Sequence, residues 1–310
     1  MIVNNNSPDM KVELNSLTLQ NPVITASGTF GYGDEVKNYF NPNSLGAITV
    51  KGLSVKPTQG NPTPRIAETP AGILNSIGLE NPGLEKFIEN KLEIIKDYEV
   101  PVIANISGHS IDDFKILAEK LAPYQEISAL EVNVSCPNIK GGGMAFGTDS
   151  ELIYQITQSV KKLYKGTVII KLSPNVTDIV EMATAAQSAG ADIISLINTL
   201  LGMAIDINKQ KPVLGNTFGG LSGPAIKPVA LRMVYQVARA VDIPIIGMGG
   251  IMSGEDAIEF ILAGAHAVGI GTATLVEPDA SLRIINEIKE YMIKNNVNSI
   301  SDLTGNANKK

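Results

Sequence analysis

The chain has 310 residues, 44% hydrophobic and 18% charged, with a formal net charge of −6, a composition that suits a folded soluble protein long enough to bury a large core as one barrel-type domain. The acidic balance and the absence of any Lys/Arg block argue against a nucleic-acid partner, because neutralising phosphates needs clustered basic residues. No apolar run is long enough to span a bilayer, and the opening MIVNNNSPDM lacks the charged and apolar regions of a signal peptide, so the expected setting is the cytoplasm, without membrane attachment.

Residues 11–23, KVELNSLTLQNPV, alternate apolar and polar about a central Asn-Ser, which predicts a β-hairpin closing one end of the fold. Apolar, β-branched runs then recur eight times: VITASG from Val23, AITVKG from Ala47, PVIANISG from Pro101, ALEVNVSC from Ala129, VIIKLSP from Val168, DIISLINT from Asp192, PIIGMGG from Pro244 and AVGIGTA from Ala267. Near-continuous apolar strands are what a parallel sheet covered on both faces requires. Helix-like segments alternate with them, including GLEKFIENKLEIIKDY from Gly83, DDFKILAEKLAP from Asp112, DSELIYQITQSVKKLY from Asp149, DIVEMATAAQSAG from Asp178 and EDAIEFILAGA from Glu255. Several begin behind an Asp, Ser or Thr suited to capping. The alternation predicts an α/β fold, a (β/α)8 TIM barrel, as a single domain over residues 1–310.

Three connections are long, those after the second, fourth and sixth strands. They carry TQGNPTPRIAETPAGILNSIGLENPG, PNIKGGGMAFGT and LLGMAIDINKQKPVLGNTFGGLSG, rich in Gly, Pro and Asn. Each extends from the carboxyl end of a strand, where barrel enzymes place their sites, so lids over a pocket mouth are expected.

The residues at the strand ends are Ser27-Gly28, Lys51-Gly52, Asn105, Asn133 with Cys136, Lys171, Asn198-Thr199, Gly249-Gly250 and Gly271-Thr272. Lysines and asparagines gathered there are costly unless a ligand meets them, and carboxylates, imides or phosphates would do so. The last two strands end in glycines followed by helix starts, a pattern that lets backbone amides approach a phosphate. Neither is a dinucleotide fingerprint, since Met252 and Thr274 stand where a third glycine would be. Cys136 is the only cysteine. It excludes an internal disulfide and a cysteine-ligated cluster, and is either a small buried hydrophobe or, at a strand end, a base or nucleophile. His266 precedes a strand and reads as structural; His109 reads as a polar residue at a helix start. No metal site is expected.

With these segments in hand, the chain resembles the catalytic subunits of class 1 dihydroorotate dehydrogenases, and its loops resemble subclass B. The resemblance runs from about Leu14 to Glu277 and rests on NSIGLENPG from Asn75, NVSCPN from Asn133, GGMAFGTD from Gly142, KLSPNVTDI from Lys171 and NTLLGMAID from Asn198. It implies FMN, with the phosphate on Gly249-Gly250 and Gly271-Thr272 near Gly223, and the ring and ribityl chain against Ser27, Lys51-Gly52, Asn105, Asn133, Lys171 and Ile197. Dihydroorotate would be held by Lys51, Asn75, Ser76, Ile77, Gly78, Leu79, Asn133, Asn198 and Thr199. Cys136 would be the general base. The resemblance further implies pyrimidine biosynthesis, a homodimer, and a heterotetramer with an electron-transfer subunit carrying FAD and a 2Fe-2S cluster that passes electrons to NAD. A class 1A enzyme using fumarate, another FMN barrel reductase, and a Schiff-base aldolase using Lys171 are the alternatives.

Overall fold

The computed structural model of the chain describes residues 7–135 and 146–309. Strands β1 (Val12–Leu14) and β2 (Leu17–Leu19) form the expected antiparallel hairpin. Asn15 takes a φ of 55° at its turn, a conformation asparagine tolerates, and Leu14, Leu17 and Leu19 turn inward. Next come β3 (Val23–Thr25), β4 (Ile48–Thr49), β5 (Ile66–Thr69), β6 (Gly72–Asn75), α1 (Leu84–Asn90), α2 (Leu92–Ile95), β7 (Val102–Ile106), α3 (Ile111–Leu121) and β8 (Ala129–Asn133). The second half holds α4 (Ser150–Leu163), β9 (Thr167–Lys171), α5 (Ile179–Ser188), β10 (Ile193–Leu196), β11 (Leu200–Gly202), β12 (Ile205–Asp206), β13 (Lys211–Pro212), β14 (Gly219–Ser222), α6 (Lys227–Ala238), β15 (Ile245–Met248), α7 (Gly254–Leu262), β16 (Ala267–Ile270), α8 (Thr272–Val276) and α9 (Ala280–Lys294).

Eight parallel strands pair in the order β3-β16-β15-β10-β9-β8-β7-β4. A bridge between Ile24 and Ala47 joins the two outer strands, so the sheet closes as a (β/α)8 barrel. At that seam the Thr25 hydroxyl accepts from the Thr49 N–H (2.8 Å) and donates to the Thr49 carbonyl (3.2 Å). A side chain thus completes the ladder where two short strands cannot.

The hairpin plugs the amino ends of the strands. Asn15 donates to Asp192 (3.0 Å), just before β10, and the hydroxyls of Ser16 and Thr167 are hydrogen-bonded at the start of β9. His266 lies at the same end, half-buried, with ring Nδ1 accepting from the Ile245 N–H (3.2 Å), and its partial burial pushes its pKa down. The helices coat the barrel by amphipathic spacing, as where Ile153, Ile156, Thr157 and Val160 of α4 face inward. Asp149, Asp178 and Ser253 cap α4, α5 and α7 through their side chains, each satisfying amides that the first helical turn leaves unpaired. Among the described residues no helix is long and apolar enough to cross a membrane.

The long loops after the second and sixth strands are not separate lids. Their strands combine in one antiparallel sheet, β11-β14-β6-β5, standing over the carboxyl end of the barrel.

Candidate active site

The strand carboxyl ends open into a cavity of about 340 Å³, within the range of small-molecule sites. From the barrel it is lined by Ser27, Lys51, Gly52, Asn105, Asn133, Lys171, Ile197, Gly249, Gly250, Gly271 and Thr272, and from the loops by Asn75, Ile77, Gly78, Leu79, Asn198, Thr199 and Gly223. The sequence-predicted residues therefore share one space, with two exceptions. Ser76 turns away: between Asn75 and Ile77 it falls on the opposite face of the extended chain, as strand alternation dictates. Its N–H donates to the Arg65 carbonyl (2.7 Å), its carbonyl accepts from Asn61 (3.1 Å), and its buried hydroxyl has no partner among the described residues. Cys136 lies outside the described residues. His109 is exposed and outside the cavity lining, with its N–H donating to Asp113 at the start of α3 (2.8 Å).

The loop from Asn75 to Leu79 is held from behind. The Asn81 side chain accepts from the amides of Ser54 (3.2 Å) and Gly83 (2.9 Å) and donates to the Leu79 carbonyl (2.7 Å). Arg65 donates to the carbonyls of Asn61 and Gln59 and pairs with Glu80. In the overlying sheet Asn75 stands opposite Gly220, and Leu200 opposite Leu221, which brings the Asn75 loop beside Asn198-Thr199. Asn198 donates to Asn133 across the cavity floor (3.3 Å), and Asn133 also accepts from the Ser135 N–H (3.1 Å).

At the far side of the floor Lys171 pairs with Glu131 (3.4 Å), and Glu131 also accepts from Asn105 (2.6 Å) and from the Ser195 hydroxyl (2.8 Å). Sequence reasoning missed Glu131 and Ser195. The signal was available, since Glu131 is a lone charge inside an otherwise apolar parallel strand. The Asn105 amide oxygen is buried and without a partner among the described residues. Lys51 makes no ion pair among the described residues. Burial holds its pKa below the ordinary lysine value, partly offset by the charge of Glu80.

The opposite wall is backbone. Gly249 and Gly250 take φ of 124° and 81°, and Gly223 a φ of 95°, in the region open chiefly to glycine. The N–H groups of Gly250, Ile251 and Gly271 donate to no other described atom, and the Thr272 hydroxyl lies beside them, bonded to Ser222 (2.9 Å). Free amides of this kind suit an anion.

A parallel barrel whose carboxyl-end cup sets two lysines and several asparagines against a glycine-lined wall of free amides has the architecture of a TIM-barrel enzyme. The family model for dihydroorotate dehydrogenase matches residues 9–292, and the chain belongs to that family. It is 54% identical over 298 residues, 96% of this chain and 98% of the relative, to the dihydroorotate dehydrogenase B (NAD(+)) catalytic subunit of Geobacter sulfurreducens. The protein of the same name from Thermoanaerobacter pseudethanolicus is 55% identical over 297 residues, again 96% and 98% of the two chains. Among solved structures, the dihydroorotate dehydrogenase of Eimeria tenella in complex with ferulenol superposes with a TM-score of 0.83 at 22% identity, covering 99% of this chain and 91% of that one, a likeness of fold.

The cradle makes a direct prediction. A Cβ at Gly250 would stand 2.7 Å from the Lys227 amide nitrogen and 2.9 Å from the Gly223 carbonyl oxygen, both backbone atoms that cannot swing aside. Gly250→Ala should lose on the order of 1–2 kcal/mol from the left-handed backbone alone, and more from the clash. Urea unfolding measures it, and an unchanged midpoint would show that the cradle is not built on this glycine.

Proposed function

We propose that this chain is the FMN-bearing catalytic subunit of a B-type dihydroorotate dehydrogenase, which oxidises dihydroorotate to orotate in pyrimidine biosynthesis in the cytoplasm. The identity of 54–55% over nearly the whole length of relatives with that name carries the reading. The same relatives' NAD(+) and subunit designation supports a separate electron-transfer subunit, for which FAD and a 2Fe-2S cluster are the expected carriers, on a homodimeric core. Fumarate as acceptor is the less favoured outcome on that ground. A Schiff-base lysine needs a free amine, whereas Lys171 is held against a buried carboxylate, so the aldolase reading loses its support.

The residues present suit FMN. The amides about Gly250 and Gly271 would take the phosphate, and Asn105, whose amide oxygen has no donor among the described residues, and Lys171 would meet the ring. Bound there, FMN supplies an acceptor for hydride from carbon 6 of the substrate. The Lys171 ammonium is placed to stabilise negative charge arriving on the ring in a dry pocket. Asparagines 75, 133 and 198 offer donors and acceptors side by side, matching the alternating imide edge of a pyrimidine. Lys51 would receive the substrate carboxylate. Cys136 is assigned the proton from carbon 5, so that one proton and one hydride leave and the carbon 5–carbon 6 double bond forms.

Anaerobic dihydroorotate added to the purified yellow chain should bleach the flavin. Cys136→Ala should keep FMN and lose on the order of a hundredfold or more in the rate of bleaching. Wild-type bleaching by that variant would remove Cys136 from the chemistry, while a colourless wild type would overturn the whole reading. A thiol with a reference pKa of about 8.5 is mostly protonated at neutral pH, so kcat should rise between pH 6 and 9, and a flat profile would contradict the base assignment.

Lys51 predicts a separate pH dependence, in KM. Only its ammonium form can hold a carboxylate, and burial makes that form release its proton below the ordinary lysine range. KM for dihydroorotate should therefore rise on the alkaline side while kcat still climbs. In the free protein the same depression costs stability at low pH, a cost relieved as pH rises through the lowered pKa toward the unfolded value. A KM independent of pH up to 10 would remove Lys51 from carboxylate binding.

A further inference from the structure

Among the described residues, Glu131 and Lys171 are the only charged side chains that are buried, at 1% and 4% exposure. Lys171 lines the cavity, while Glu131 sits beneath it on β8 and does not. All three groups around the Glu131 carboxylate are donors: Asn105 Nδ2 at 2.6 Å, Ser195 Oγ at 2.8 Å and Lys171 Nζ at 3.4 Å. An ionised carboxylate only accepts. Asn105 must therefore turn its amide nitrogen down to Glu131, because the opposite rotamer would set two acceptor oxygens against each other. Its buried oxygen is left beside Gly52, which lines the cavity as Asn105 does and where an added Cβ would stand 2.9 Å from it, and nothing among the described residues donates to it.

We infer that Glu131 is a positioning residue for the cavity floor. It fixes Asn105 as an acceptor for an N–H of the bound ring, and it holds the Lys171 ammonium beside that acceptor. The floor then reads a ligand that presents an imide N–H next to a carbonyl or a developing negative charge. An isoalloxazine and a pyrimidine share that chemistry, and here the inference rests on the proposed function in taking FMN as the ligand. A buried acceptor without a donor is costly, so the orientation imposed by Glu131 is one that only a donating ligand relieves. Glu131 also sets the electrostatics, since its charge balances Lys171 before any electrons arrive.

The test is Glu131→Gln in the full chain, stripped of flavin and titrated with FMN by fluorescence quenching, followed by a redox titration of the reloaded protein. A glutamine amide can donate to Asn105 as well as accept, so the amide is no longer fixed. FMN should bind about tenfold or more weakly than to the wild type. Removal of a negative charge near the ring should also shift the flavin midpoint potential to a more positive value, a change that a core-filling role would not cause. Binding within twofold of the wild type with an unchanged potential would overturn the inference while leaving the function intact. A wild type that does not bind FMN would overturn the function, and the inference with it. If Glu131→Gln does not fold, Ser195→Ala removes one donor from the carboxylate at a site wholly inside the barrel and away from the cavity. It should weaken FMN binding by about threefold or more, and an unaltered dissociation constant would count against the inference.

Discussion

The structure depends on a buried carboxylate and ammonium held together on neighbouring strands of a closed barrel. Taking Glu131 and Lys171 out of water costs several kcal/mol for each ion, and their attraction offsets that only because Asn105 and Ser195 supply further hydrogen bonds. Such an arrangement is a weak source of stability. It is a strong source of orientation: the strand register that places Asn133 opposite Lys171 and Asn105 opposite Glu131 fixes which polar atoms reach the cavity and which remain below it.

Above this floor the loops behave as one structure. The hairpin β5-β6 and the strands β11 and β14 come from connections more than a hundred residues apart, yet form a single antiparallel sheet. Their pairing puts the Asn75 loop and Asn198-Thr199 on the same side of the cavity, and Arg65 and Asn81 brace the loop from outside. A cavity wall divided between two loops is in this way given the rigidity of sheet, which is what precise placement of a small ligand requires.

Much of this was legible in the chain. The eight apolar runs, the Asn15-Ser16 turn and the capping residues Asp149 and Asp178 are local signals, and each element stands where its signal lies. The strand-end polar residues could be listed because parallel strands expose only their carboxyl ends to a barrel site. Other features were missed. The pairing of β6 with β14 is a non-local contact that loop composition does not encode. Ser76 falls on the wrong side because one step along an extended chain reverses the face. Glu131 was passed over as part of an apolar strand, although a lone charge in such a place asks for a partner. Helix α6 follows the third long connection and was not among the helix-like segments singled out, although its proline near the amino end was a cue for its start. Cys136, the residue on which the chemistry is placed, lies outside the described residues, so its role rests on sequence and on the neighbours it would join.

The central claim is that the groups of the cup without a partner among the described residues, the Asn105 oxygen and the amides about Gly250 and Gly271, are completed by one flavin mononucleotide. The most direct test is the melting temperature of the flavin-free chain with FMN and with riboflavin, each at a hundredfold excess over the FMN dissociation constant. FMN should raise it by about 5 °C or more, and riboflavin, lacking the phosphate, by far less. No shift with FMN, or an equal shift with both, would contradict the account.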